Sequence, residues 1–267
     1  MTNRLLILCV SLLSAVTVYA GAEPNKAGYA RDVSILKSDS RVQTALDHIV
    51  TLEPDSQKVL IELNEIEAPP FNEEKRAARF AEMLRDAGLD DVSIDEVGNV
   101  VGVKAGTKRD RVVVYSAHLD TVFPEGTDVT VRFEGKRMYA PGIGDNTRGL
   151  VSALAVLKTM EFAGLETEAD IWFVGNVGEE GLGDLRGVKH LFRDGAKKID
   201  SLIAIDGGSS ARIVYGGVGS HRYRVTFKGP GGHSWGAFGL ANPHHALGRA
   251  IAIFDENAPA VTKVGEK

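Results

Sequence analysis

The chain has 267 residues, 43% of them hydrophobic and 25% charged, with 30 glycines and a formal net charge of −5. That length suits one large domain or two modest ones, and that balance excludes disordered, collagen-like and coiled-coil classes. The 31 basic and 36 acidic side chains include no Lys/Arg-rich run able to track a phosphate backbone, so nucleic acid is not an expected partner.

At the N-terminus Arg4 precedes the apolar run Leu5 to Val10 and then Leu12-Leu13, and Val18-Tyr19-Ala20 follows with small residues where a signal peptidase reads. Residues 1–20 read as a secretory signal peptide, so the expected location is exported, periplasmic or extracellular, with no membrane attachment after removal. A membrane anchor fits less well, because the apolar run is shorter than the ~20 residues a spanning helix needs. The single cysteine, Cys9, lies in this segment. Any metal must therefore be held by His and carboxylates rather than thiolate.

A polar leader follows, then apolar positions at helical spacing in Val42, Leu46, Ile49 and Val50 and again in Val59, Leu60 and Leu63, which predict two helices. After Pro69-Pro70, Asn72 can cap a third helix with the stripe Ala77, Phe80, Met83, Leu84 and a stop at Ala87-Gly88. Strands are expected at 92–97, 100–104 and 111–117, the last a buried central one. A helix over about 147–162, a strand at 169–177, a helix at 184–193 and strands at 201–205 and 212–215 continue the alternation. This pattern argues for an α/β fold with a mostly parallel sheet flanked by helices. Near Gly216-Gly217 the style changes: 221–228 alternates like a half-buried strand, and 243–254 reads as an amphipathic helix. The expected organisation is a catalytic domain over 21–215 and the start of a second α+β unit over 216–267.

Metal-ligand residue types recur where the predicted strands run out. The third strand ends in His118-Leu119-Asp120, a spacing that puts both side chains on one side of an extended backbone, where a carboxylate can orient an imidazole. Asp145-Asn146 follows Gly144 just before a helix, and either residue could equally be a helix cap. Gly178-Glu179-Glu180-Gly181 places two adjacent carboxylates after a buried strand, where they repel unless a cation or a shared proton compensates. Asp206-Gly207-Gly208 again places a carboxylate, here a single one, at the end of an apolar strand. Ligands of open α/β sheets bind at the carboxyl ends of the strands, so one His and four acids delivered there point to a divalent, carboxylate-rich and dinuclear metal site.

His118-Leu119-Asp120, Gly144-Asp145-Asn146, Gly178-Glu179-Glu180-Gly181, Asp206-Gly207-Gly208 and Gly231-Gly232-His233-Ser234 resemble, in order and spacing, the motifs of the M20 metallopeptidases, a family that includes carboxypeptidase G2 and peptidase T. The resemblance covers roughly residues 40 to 255 and implies a zinc-exopeptidase-like catalytic domain joined to a lid and dimerisation domain. It also implies two zinc ions, with cobalt or manganese as chemically suitable substitutes. His118 and Asp206 would bind one metal, Asp145 would bridge to the second, and Glu180 would ligate that second metal. Asp120 would stand behind His118 as an orienting carboxylate, Glu179 would be the general base toward a metal-activated water, and the peptide bond after Asp145 would be cis. His233 would stabilise the oxyanion, often across a dimer interface, whereas His244-His245 opens a helix and is assigned no metal. The implied substrate is a small peptide, or an acylated amino acid if the protein is a deacylase. Asp206 resembles the peptidase members, where many deacylases carry Glu.

The chain departs from the family in length, because members continue through the rest of the lid and return with a final helix and strand. That return carries a His ligand for the second metal, which has no counterpart in this sequence. The chain therefore reads as part of a longer polypeptide, and the alternative is a shortened, catalytically impaired protein that binds metal or peptide.

Overall fold

The computed structural model describes residues 26–207, 212–217 and 222–258. The segment read as a signal peptide, residues 1–20, lies outside them. The chain divides into two compact units, residues 1–208 and 209–267.

The first unit opens with three helices, α1 (Lys26–Ser38), α2 (Ser40–Thr51) and α3 (Glu53–Asn64). The expected polar leader is thus helical from Lys26. Val33, Ile35 and Leu36 of α1 are all exposed, and a helix that presents no buried stripe gives no periodic signal to read. Asp39 caps α2 by accepting the Arg41 N–H at 2.8 Å, and Pro54 sits in the first turn of α3, where its missing N–H is of no consequence. The fourth helix, α4 (Glu74–Asp86), buries Ala77, Phe80, Met83 and Leu84 as its stripe predicts, and Gly88 ends it at φ +106°. Asn72 is not its cap. The helix starts after Glu73 with no side-chain cap at all, because the Glu73 carboxylate turns inward to other partners.

The sheet strands are β1 (Asp91–Ile94), β2 (Val100–Lys104), β3 (Val112–His118), and, after a separate exposed hairpin of β4 (Arg132–Glu134) and β5 (Arg137–Tyr139), β6 (Asp170–Asn176) and β7 (Ser201–Ala204). Helix α5 (Arg148–Phe162) precedes β6, and α6 (Arg186–Leu191) lies between β6 and β7. The order is β1-β2-β6-β3-β7, with β6, β3 and β7 paired in parallel and β2 antiparallel to both its neighbours, so β2 alone runs against the other four. The expected first strand stops at Ile94 because the Asp95 carboxylate takes the N–H groups of Val97, Gly98 and Asn99 and folds them into a turn. The β4–β5 hairpin, six exposed or half-buried residues, has no counterpart in the sequence reading.

Alternation along β3 and β6 divides the core. Val112, Val114 and Val174 pack with Leu191 of α6 on one face, while Ala117 and Phe173 join Leu63, Phe80, Leu84, Leu150 and Leu154 from α3, α4 and α5 on the other. Gly175 has to be glycine in this packing, since a Cβ there would stand 2.9 Å from the Phe80 ring.

In the second unit, α7 (Pro243–Asn257) forms where expected, and Asn242 caps it by accepting the His244 N–H at 2.9 Å. The expected strands at 212–215 and 221–228 are not formed among the described residues. Those positions are almost all exposed and no strand pairs with them there, so alternation alone does not make a strand.

At the start of β6 the fully buried Asp170 joins separate loops. Burial alone would raise its pKa, but Lys197 Nζ at 2.8 Å, the Gly106 N–H at 2.9 Å and Arg109 Nε at 3.1 Å outweigh it and hold the carboxyl at about 2. A folded-state value below the unfolded one contributes stability above pH ~4, and that contribution is lost as pH falls through the depressed value. Denaturant titrations should show wild-type stability falling between pH 4 and pH 2, and Asp170→Asn should be less stable at neutral pH with a shallower fall; equal slopes would contradict the assignment.

Candidate metal centre

Three parallel strands end side by side. His118 is in register with Asn176, and the Leu119 N–H and Ser116 Oγ both donate to Asn176, each at 2.7 Å, which ties the exit of β3 to that of β6. The Ile205 N–H donates to Ser116 O at 2.7 Å and draws the exit of β7 alongside. The segments 118–120, 177–180 and 205–207 therefore share one edge of the sheet. The turn before α5 closes the site from above: Asn146 Nδ2 donates to Ile205 O at 2.7 Å, and the Asp145–Asn146 peptide is cis, as the resemblance implies. Neither Asp145 nor Asn146 caps α5, whose cap position is Thr147, so the Asp145 carboxylate is left to face His118.

His118 is buried, with 3% of its side chain exposed, between two acceptors. Its Nδ1 lies 2.8 Å from the carbonyl oxygen of Asp120, and its Nε2 lies 2.9 Å from Asp145 Oδ1 and 3.7 Å from Asp206 Oδ1. A carbonyl only accepts, so Nδ1 must carry the proton and Nε2 of the neutral ring presents a lone pair. A lone pair aimed at a carboxylate oxygen is repulsive unless a second proton or a cation stands between them. Ligand atoms of His118, Asp145 and Glu180 all lie within 4.8 Å of one another, and Gly207 leaves room beside Asp145, where a Cβ would sit 3.4 Å from the carboxylate-bearing side chain. One imidazole nitrogen and several carboxylate oxygens suit a divalent cation of the zinc, cobalt or manganese kind.

Asp120 departs from its expected part. Its carbonyl, not its carboxylate, orients the imidazole; the carboxylate is fully buried, lies 3.8 Å from Nδ1, and accepts the backbone N–H groups of Glu179 at 3.1 Å and Glu180 at 2.8 Å. Both glutamates are half-buried, and burial raises their pKa values above the usual carboxylate range. Neighbouring acids add to this: Asp206, Asp120 and Asp145 at Glu179, with His118 opposing, and chiefly Glu179 and Asp145 at Glu180. His233 belongs to the second unit. There its Nδ1 accepts the N–H groups of Trp235 at 3.3 Å and Gly236 at 3.4 Å, so its Nε2 carries the proton. Among the described residues no metal cluster includes His244 or His245.

Sequence reading alone missed Arg76. Its guanidinium is buried on the carbonyls of Asn64, Ile66 and Leu119, and burial lowers its pKa to about 10 against the opposing pull of Asp120. It fixes the segment leaving β3 with a charge that also faces the Asp120 carboxylate.

In the cation-free protein the raised Glu179 and Glu180 values mean that the folded state holds protons more tightly than the unfolded one. Stability from this source is present below the unfolded pKa and is lost as pH rises through the folded values, whereas a divalent cation reverses the trend by replacing the protons. Calorimetric titration with Zn²⁺ or Mn²⁺ should therefore show affinity increasing from pH 5 to pH 7, and His118→Ala should abolish the tight site. A pH-independent affinity, or one indifferent to His118, would contradict this geometry.

Comparison with known proteins places the fold and the motifs together. A protein of Pyrococcus abyssi provisionally named LysW-lysine/LysW-ornithine hydrolase is 35% identical over 143 residues, 54% of this chain and 36% of that protein. The N-carbamoyl-L-amino acid amidohydrolase of Geobacillus stearothermophilus is 32% identical over 133 residues, 46% of this chain and 28% of that protein. These matches thus span about a third of the length of such relatives. The structure of the di-peptidase Dug1p from Saccharomyces cerevisiae superposes with a TM-score of 0.57 at 16% identity, over 84% of this chain and 57% of that one, which shows a shared fold. The model of Peptidase family M20/M25/M40 matches residues 114–262. That match covers more than half of the chain and takes in His118, Asp145, Glu180 and Asp206: the protein belongs to peptidase family M20/M25/M40.

Proposed function

We propose that this protein is an exported metallo-exopeptidase that hydrolyses the amide bonds of small peptides with a pair of zinc ions. The observation that carries the reading is His118 Nε2 facing Asp145 and Asp206 with Glu180 beside them, a convergence of one imidazole nitrogen and three carboxylates that a divalent cation would complete. His118 and Asp206 would hold one zinc, Asp145 would bridge, and Glu180 would belong to the second. Bound there, the pair would polarise a scissile carbonyl and acidify an attacking water.

The chain's own groups supply the rest. Glu179, adjacent to the proposed ligand Glu180 and raised in pKa by burial, suits a general base. Asp120 fixes its backbone, and an oxyanion role for His233, in the second unit, rests on the family resemblance alone. Export rests on the residues 1–20 read as a signal, and dimerisation through the second unit rests on the family resemblance. The 32% identity to an N-carbamoyl-L-amino acid amidohydrolase favours a second reading, an amidase of N-substituted amino acids built on the same site.

Zinc-loaded full-length protein assayed on dipeptides, tripeptides and N-acyl and N-carbamoyl amino acids separates these readings. Glu179→Ala should lower turnover by about 10²–10⁴-fold with zinc stoichiometry unchanged. A variant that keeps a tenth of the turnover removes Glu179 as the base, and wild-type protein that holds zinc but turns over none of these compounds is a binding protein.

A further inference from the structure

We infer that Glu73 and Arg186 are positioning residues that fix the loop bearing Glu179 and Glu180, an inference that rests on the hydrolase reading above. The loop runs from the exit of β6 to α6. Its base is shut by the Gly187 N–H on Val177 O at 3.0 Å and by Asn99, whose Oδ1 accepts the Val177 N–H at 3.1 Å and whose Nδ2 donates to Gly187 O at 3.0 Å. Above that base, three successive backbone N–H groups end on buried carboxylates. Gly178 donates to Glu73 Oε1 at 3.2 Å, Glu179 to Asp120 Oδ1 at 3.1 Å and Glu180 to Asp120 Oδ2 at 2.8 Å. Fixing three consecutive amides fixes the directions in which the two glutamate side chains leave the backbone.

Arg186 completes the brace from within the loop. Its Nη2 donates to both Glu73 oxygens, at 2.8 and 2.7 Å, and its guanidinium lies 4.6 Å from the centroid of the Phe71 ring. Gly178, at φ +64°, closes against this group, and a Cβ there would stand 2.1 Å from Arg186 Nη1. Stability alone is a weak reason for such a pair. An apolar pair of similar volume generally holds a fold as well as a buried ion pair does, and here Nη1 is buried without a hydrogen-bond partner among the described residues. What an apolar pair could not supply is an acceptor for the Gly178 N–H, next in sequence to Glu179.

The test uses zinc-loaded full-length protein carrying Arg186→Met, Glu73→Met or both, the double variant being an apolar pair that offers the Gly178 N–H no acceptor. Arg186→Met leaves a buried carboxylate unpaired and should lower Tm, whereas the double variant carries no unpaired charge and should regain most of that loss. Turnover should not follow Tm: kcat should fall about 10–100-fold in the double variant, with KM within twofold of wild type. Zinc affinity, measured by competition with a chromophoric chelator, should fall at least about tenfold because Glu180 rides on the same loop. Recovery of kcat together with Tm, or unchanged zinc affinity in the folded double variant, would reduce the pair to a structural contact and overturn the inference. Absence of turnover in the wild type would instead sink the hydrolase reading, and the zinc affinities would still decide this one.

Discussion

One imidazole held between two acceptors organises this protein. Because the Asp120 carbonyl accepts the Nδ1–H of His118, Nε2 of the neutral ring is left to face the carboxylates of Asp145 and Asp206 with a lone pair. Among the described residues nothing relieves that opposition except an added proton or an added cation. The rest of the first unit can be understood as the scaffold that keeps the groups in this opposition: parallel strands β3, β6 and β7 end together, and the turn before α5 brings Asp145 over them.

Buried charges then replace the rigidity that loops at a sheet edge lack. Asp120 and Glu73 accept three consecutive amides before and along the two glutamates, and Arg76 gathers three carbonyls from two segments, 64–66 and the exit of β3. Each of these groups is taken out of water, which carries a cost that good hydrogen bonding must offset. The same low-dielectric surroundings raise the pKa values of Glu179 and Glu180 above the usual carboxylate range.

Much of this was legible in the sequence, for identifiable reasons. β3, β6 and α5 are short apolar runs or broad apolar helices bounded by turn residues, and their burial makes them unambiguous. Asp120, Glu179, Glu180 and Asp206 stood out because each follows such a strand, whereas Asp145 precedes a helix and read as well as a cap. Other parts had no local signature. The exposed α1 and the β4–β5 hairpin bury little, the expected strands at 212–215 and 221–228 have no described partner, and Asn72 is not the cap because the helix starts after the inward-turned Glu73. Glu73 and Arg186 meet across 113 residues, and Arg76 reaches Leu119 across 43, so neither link could be read from spacing. Asp120 was read correctly as a partner of His118, but through the wrong atoms: its carbonyl serves the imidazole and its carboxylate serves the glutamate loop.

The state of the His118 ring is where the account is most exposed. Nitrogen-15 NMR of histidine-labelled full-length protein at neutral pH, with and without one to two equivalents of Zn²⁺, reports which ring nitrogen carries a proton and whether the other binds metal. The account predicts a protonated Nδ1 throughout and, on adding zinc, an Nε2 resonance moving to the range of a metal-ligating nitrogen. A neutral ring protonated at Nε2, or an Nε2 resonance indifferent to zinc, would contradict the claim that this imidazole is built to face a cation.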